Sequence, residues 1–121
     1  MLSINYKDPR PIYEQVRDAL RQLILTGAIA PGEKLPSVRE LAASLAINPN
    51  TIQRSYRELE SLGLINTVPG KGAFAATDHT AAQKRSQELL DSIAGAIREL
   101  KLLGNSKETI LSAVSGAYEK E

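Results

Sequence analysis

The chain has 121 residues, 42% of them hydrophobic and 24% charged, with no cysteine and a single histidine, His79. That length holds one compact domain with an extension, and the composition is that of a globular protein needing no disulfide staple; thiol nucleophiles and Cys-based zinc sites are excluded. The net charge of +1 neither supports nor excludes a nucleic-acid partner, because screening over ~8 Å makes the placement of charge count for more than its sum.

Residues 1–10 read as an extended arm. From Pro11 the pattern turns helical: Ile12, Val16, Leu20, Leu23 and Ile24 recur at helical spacing, with Glu14, Arg17, Asp18 and Arg21 on the other side. Pro11 suits the first turn of this helix and Gly27 its C-terminal cap. Pro31-Gly32 marks a turn, and Glu33-Lys34-Leu35 is a short strand candidate. Ser37 with Glu40 forms a capping box, each side chain satisfying a free backbone N–H, so a second helix starts there. Its buried stripe is Val38, Leu41, Ala42 and Leu45, which leaves Arg39 in the exposed first turn.

A turn at Ala46-Ile47 leads to Asn48 as cap and Pro49 as first residue of a third helix. At 100° per residue, Ile52, Ser55, Tyr56, Leu59 and Leu62 share one face, and Asn50, Gln53, Arg54, Arg57 and Ser61 the opposite one. Gly63 ends this helix. Residues 64–76 read as a β-hairpin with its tip at Pro69-Gly70-Lys71-Gly72; a lone hairpin is marginal, so it must lean on the helices. Beyond Thr77 a second unit begins. Thr80 with Gln83 makes another capping box, and Leu89, Leu90, Ile93, Ile97 and Leu100 keep helical spacing as far as Gly104. Asn105-Ser106 then caps a last helix with Ile110, Leu111, Val114 and Tyr118 on its apolar face. The reading is mainly α with a small β-hairpin: a winged helix-turn-helix over residues 1–77, followed by a two-helix dimerisation hairpin over residues 78–121.

Helix two, a short turn and helix three form a unit that presents the third helix to DNA. A major groove admits one α-helix, and base edges are read by side chains offering two hydrogen bonds, Arg to guanine and Asn or Gln to adenine. Asn50, Gln53 and Arg54 are those types near the helix start, with Thr51 beside them for a phosphate or a thymine methyl. A plain solvated face is the competing interpretation of the same residues. Ser37 and Arg39 stand at the start of helix two, where free amides and the helix dipole favour a phosphate; capping alone also accounts for Ser37. Gly70 and Lys71 at the hairpin tip would bring backbone and one cation to the minor groove. The tip lacks the spacing of an ATP-binding loop, so no nucleotide site is expected. His79 with Asp78 is too small a ligand set for a metal. No nucleophile, base and orienting group can be assembled, so neither catalysis nor a cofactor is expected. No apolar run approaches the ~18 residues of a membrane span, and nothing resembles a signal peptide, so a soluble, cytoplasmic protein without a membrane partner is expected. The apolar faces of the last two helices exceed what they can cover on each other; they either pack back on the first domain or, as the affinity gained from paired half-sites favours, form a homodimer.

Residues 31–42 (PGEKLPSVRELA), 48–52 (NPNTI), 56–60 (YRELE) and 63–65 (GLI) together resemble the DNA-binding domain of GntR-family bacterial transcription regulators. Pro11-Ile12-Tyr13-Glu14-Gln15 and Gly70-Lys71-Gly72-Ala73-Phe74 extend the likeness, and the short helical tail is similar to that of the YtrA-like subgroup. The resemblance implies a homodimeric repressor on a palindromic double-stranded operator, often beside genes for membrane transporters. It implies DNA contacts at Arg39, Asn50, Thr51, Gln53, Arg54, Gly70 and Lys71. Many relatives carry arginine where this chain has Pro49 or Gln53, a departure that bears on the operator sequence. Most of the family carries a large effector-binding domain; the residues after the wing are too few for a typical pocket of ~300 Å³ without a partner chain, and no small-molecule effector is named by them. The rival to a regulator is a winged-helix adaptor that binds protein instead of DNA.

Overall fold

Val16, Leu20 and Ile24 lie one helical turn apart, and the first helix, α1 (Ile12–Leu25), buries all three. The computed structural model describes residues 2–119. Pro11 is the N-cap of α1, just outside the helix instead of inside its first turn, and Thr26 is the C-cap, with Gly27 following. Helix α2 (Val38–Leu45) opens on the expected capping box: Ser37 Oγ accepts the Glu40 N–H at 3.0 Å, and Glu40 Oε1 accepts the Ser37 N–H at 3.2 Å. It stops at Ala46, which takes the left-handed conformation with φ 55°. A residue with a Cβ pays roughly 1–2 kcal/mol for that conformation; here it reverses the chain within two residues. Asn48 then caps α3 (Pro49–Ser61), its Oδ1 accepting the Asn50 N–H at 2.8 Å, with Pro49 in the first turn.

Ile52, Ser55, Tyr56 and Leu59 of α3 are buried. Leu62, expected on the same face, is exposed because the helix ends at Ser61 and the chain turns away at the cap. Strands β1 (Ile65–Val68) and β2 (Gly72–Ala75) pair antiparallel with Ile65 opposite Ala75 and Val68 opposite Gly72. The Glu33–Leu35 segment contributes one bridge, Lys34 to Phe74, flanked by Leu35 N–H to Ala73 O and Ala75 N–H to Glu33 O, each 2.8 Å. Pro36, which has no N–H to donate, prevents this edge from growing into a full strand. The core gathers Val16, Leu20, Leu35, Leu41, Ile52, Leu59, Leu64 and Ile65; each such side chain contributes roughly 1.5–3 kcal/mol on burial.

Helix α4 (Thr80–Leu102) starts differently from expectation. Thr80 is already helical, and its N–H is capped by Asp78 Oδ1 at 2.9 Å instead of by a Thr80–Gln83 box. Ala82 packs on the core. The chain divides into two compact units between Gln83 and Lys84, inside α4. In the second unit α4 runs to a turn at Gly104, and Ser106 Oγ accepts the Thr109 N–H at 3.2 Å to open α5 (Lys107–Glu119). Neither helix buries a residue, and α5 does not pack along α4.

Candidate nucleic-acid interface

Helix α3 is held at three points, two through the buried Ser55 and Tyr56 and one through the half-buried Glu58. Ser55, fully buried, donates from Oγ to the Tyr13 carbonyl of α1 at 2.7 Å. The Tyr56 hydroxyl donates to the Pro36 carbonyl at 2.7 Å, tying α3 to the segment before α2. Burial, with Glu40 nearby, pushes the Tyr56 phenol up to about 12. Arg17 Nη1 donates to Glu58 Oε1 at 2.8 Å, and its hydrogen bonds to Asp18 and Glu58 hold the guanidinium well above the ordinary arginine range. A fourth bond joins α3 to the hairpin, where Glu60 Oε2 accepts the Thr67 N–H at 2.9 Å.

These anchors leave Asn50, Gln53, Arg57 and Ser61 exposed, with Thr51 half-buried beside them. Gln53 and Ser37 share a shallow groove of about 170 Å³ between the start of α2, α3 and the hairpin, with Arg57, Glu60, Thr67 and Gly72 among its other lining residues. Arg57 was placed on the polar face by its spacing but not singled out; its position in this groove depends on the hairpin folding back onto α3. Arg39 is exposed in the first turn of α2, and Gly70 and Lys71 are exposed at the hairpin tip, where the Lys71 N–H closes a turn on the Val68 carbonyl at 2.9 Å. Among the described residues Arg39, Arg57 and Lys71 form no ion pair. Glu40, next to Arg39 in the chain, is engaged by Ser37, whose hydrogen bonds hold its carboxyl below the usual range.

Arg54 stands apart from the other polar residues of α3. Its guanidinium carbon lies 3.6 Å from the centroid of the Tyr13 ring, and its Nε is 3.7 Å from Glu58 Oε2. Glu58 was legible as an i, i+4 partner of Arg54. Tyr13 had no local signal, since the contact spans α1 and α3. His79 is exposed, and among the described residues no group of three or more His, Asp or Glu side chains could hold a metal. None of the described helices is long and apolar enough to cross a membrane.

The fold around this surface is a winged helix-turn-helix, and the family profile "Bacterial regulatory proteins, gntR family" matches residues 12–75, more than half of the chain. The chain belongs to the GntR family. This GntR-family chain is 36% identical over 110 residues to the uncharacterized HTH-type transcriptional regulator YhcF of Bacillus subtilis, covering 90% of this chain and 91% of that protein. It is 46% identical over 74 residues to the HTH-type transcriptional repressor YtrA of the same organism, covering 61% of this chain and 57% of that protein. Among solved structures it is similar to the DNA-binding domain of AraR in complex with operator ORX1, with a TM-score of 0.57 and 31% identity over 62% of this chain and 96% of that one. The chain is thus a YtrA-like GntR transcription regulator whose DNA-binding domain is the winged helix.

Proposed function

We propose that the protein is a homodimeric repressor that binds an inverted-repeat operator in double-stranded DNA and blocks a promoter by occupying it. The observation that carries this reading is that, among the described residues, Asn50 and Gln53 of α3 keep unengaged side-chain amides while Arg39, Arg57 and Lys71 are exposed and form no ion pair. In the assignment we favour, α3 enters a major groove with Asn50 and Gln53 on base edges and Thr51 on a thymine methyl or phosphate. Ser37 and Arg39 hold the backbone from the start of α2, with Arg57 beside them, and Gly70 with Lys71 brings the wing to the minor groove. Arg54 is the remaining member of the contact set.

Pairing is supported by the tail. Leu89, Leu90, Ile93, Leu111 and Val114 are exposed in the single chain, and Leu102 is 87% exposed. A second copy covers such a face, and two recognition helices set ~34 Å apart would read successive half-sites. The division we favour is accordingly a DNA-binding unit followed by a dimerisation tail. Selection of random duplexes by the purified protein at low salt tests the whole reading. A palindromic winner is expected. The absence of any enrichment would favour a winged-helix adaptor that binds protein instead.

A further inference from the structure

We propose that Tyr13 and Glu58 hold Arg54 as a clamp on the phosphodiester backbone at the edge of the half-site, so that Arg54 anchors the recognition helix and reads no base. The inference rests on the DNA-binding reading above.

The side of α3 from which Arg54 emerges comes first. At 100° per residue, Asn50 and Arg57 lie along the middle of the exposed face, with Gln53 to one side and Arg54 to the other. Gln53 leans toward the groove it shares with Ser37 and Thr67. Arg54 leans the opposite way, toward α1, next to Ser55, whose hydroxyl holds the Tyr13 carbonyl at 2.7 Å. A helix seated in a major groove meets base edges along its middle and a phosphate strand along each flank. The α2 side has Ser37 and Arg39 for one strand. On the α1 side, Arg54 is the exposed cation that α3 itself supplies.

Its local geometry suits a phosphate. The 3.6 Å separation from the Tyr13 centroid is a stacking distance, in which the ring covers one face of the guanidinium and leaves the in-plane N–H edge open. That edge is the part that binds phosphate in a two-point fork. Among the described residues no hydrogen bond uses an Arg54 nitrogen. The nearest carboxylate oxygen, Glu58 Oε2, is 3.7 Å away, while the other oxygen of Glu58 is bound by Arg17 at 2.8 Å. Glu58 therefore steers Arg54 without saturating it. Stacking also fixes a long side chain before DNA arrives, which lowers the ordering cost of the contact. Tyr13 and Glu58 are positioning residues; Arg54 is the contact.

The test uses the full-length protein with two duplexes of equal length: the one enriched from the random pool and a mixed-sequence control. Arg54→Ala should weaken binding to both by the same factor, about tenfold, and flatten the salt dependence by about one unit of slope, because one phosphate contact is lost. The base preferences recovered by repeating the selection should be unchanged. Tyr13→Leu should reproduce both effects and Tyr13→Phe should restore them, since the ring face and not the hydroxyl is what stacks. Arg54→Lys should keep the salt slope while losing several-fold affinity on both duplexes, which decides the matter if Tyr13→Leu fails to fold by circular dichroism. A relaxed preference at one base position in Arg54→Ala would make Arg54 a base reader and overturn the proposal. So would wild-type affinity in Arg54→Ala or in a folded Tyr13→Leu. Failure of the wild type to bind either duplex would instead overturn the DNA reading itself.

Discussion

Among the described residues the Gln53 amide and the Lys71 ammonium are both exposed and unengaged, yet the proposed reading gives them different work. Gln53 projects from the recognition helix beside the groove it shares with Ser37, so Gln53→Ala should cost ~1–3 kcal/mol and relax preference at one base position. Lys71, at the hairpin tip, offers charge without shape. Lys71→Ala should weaken all sequences alike and lower the salt slope by about one unit, measured by fluorescence anisotropy across a salt series. Glu40 has a consequence for pH. Its carboxyl is more acidic in the folded chain than its ordinary value of 4.5 because of the hydrogen bonds from Ser37. The stability it adds is therefore complete above that ordinary value and is lost as pH falls through the lower folded one. Glu40→Gln, which can still reach back to the Ser37 N–H, should show a flatter loss of melting temperature below pH 4.5 than the wild type. Asp8 and Asp78, likewise lowered by backbone hydrogen bonds to Arg10 and Thr80, keep part of the acid sensitivity in place. Ser37, Glu40 and Asn48 were legible because capping is a local matter of residues within four positions. Tyr13 on Arg54 was not, since it depends on α1 and α3 meeting across 41 positions of sequence and nothing local encodes the meeting.

At the level of the element, the third helix is defined by where it is fastened. Tyr56→Phe leaves the Pro36 carbonyl without its 2.7 Å donor and should cost about 1–3 kcal/mol in urea unfolding. Gly63 shows why the end of α3 has no freedom of sequence. Its φ is +78°, and a Cβ there would lie 2.7 Å from the Ala82 nitrogen and 2.8 Å from the Ala81 carbonyl carbon. Both the backbone conformation and the contact oppose a side chain, so Gly63→Ala should lose at least ~2 kcal/mol, visible as a lower urea midpoint. The helical stop at Gly63 could be read from its type, but the crowding could not, because Ala81 and Ala82 approach only once the hairpin has formed. Leu62 was misplaced for a related reason: a face drawn at 100° per residue does not know that the helix ends one position earlier. The Glu33–Leu35 edge shrank to a bridge because backbone pairing needs N–H groups, and Pro36 interrupts them.

For the whole molecule, composition and charge carried little, while the order of motifs carried a great deal. The winged helix was legible because each of its helices and its hairpin announces its own boundaries. The break between units was set at residue 77 by the change of pattern at the hairpin's end, yet Ala82 belongs to the core of the first unit and the contacts divide after Gln83. The tail was expected as a two-helix hairpin; α4 and α5 are two helices whose apolar side chains are exposed in the single chain, the face that the proposed pairing would use. Leu90 and Leu111 are both exposed, so Leu90→Glu with Leu111→Glu should leave the fold of one chain intact by circular dichroism. Light scattering should then report the mass of a monomer, and operator affinity should drop by roughly a hundredfold or more as the second half-site is lost. Retention of the full assembly by this double variant would remove the tail from that role.

On the DNA-binding reading proposed above, the third helix keeps its seat and its message on different residues. Ile52, Ser55, Tyr56 and Leu59 fasten it from below, and Asn50, Gln53 and Arg57 face outward without bracing anything. An alphabet printed on a fixed type-block can be recut letter by letter. Relatives can therefore diverge in the operators they address while sharing one scaffold, and a library randomised at those three outward positions should yield folded proteins with new addresses.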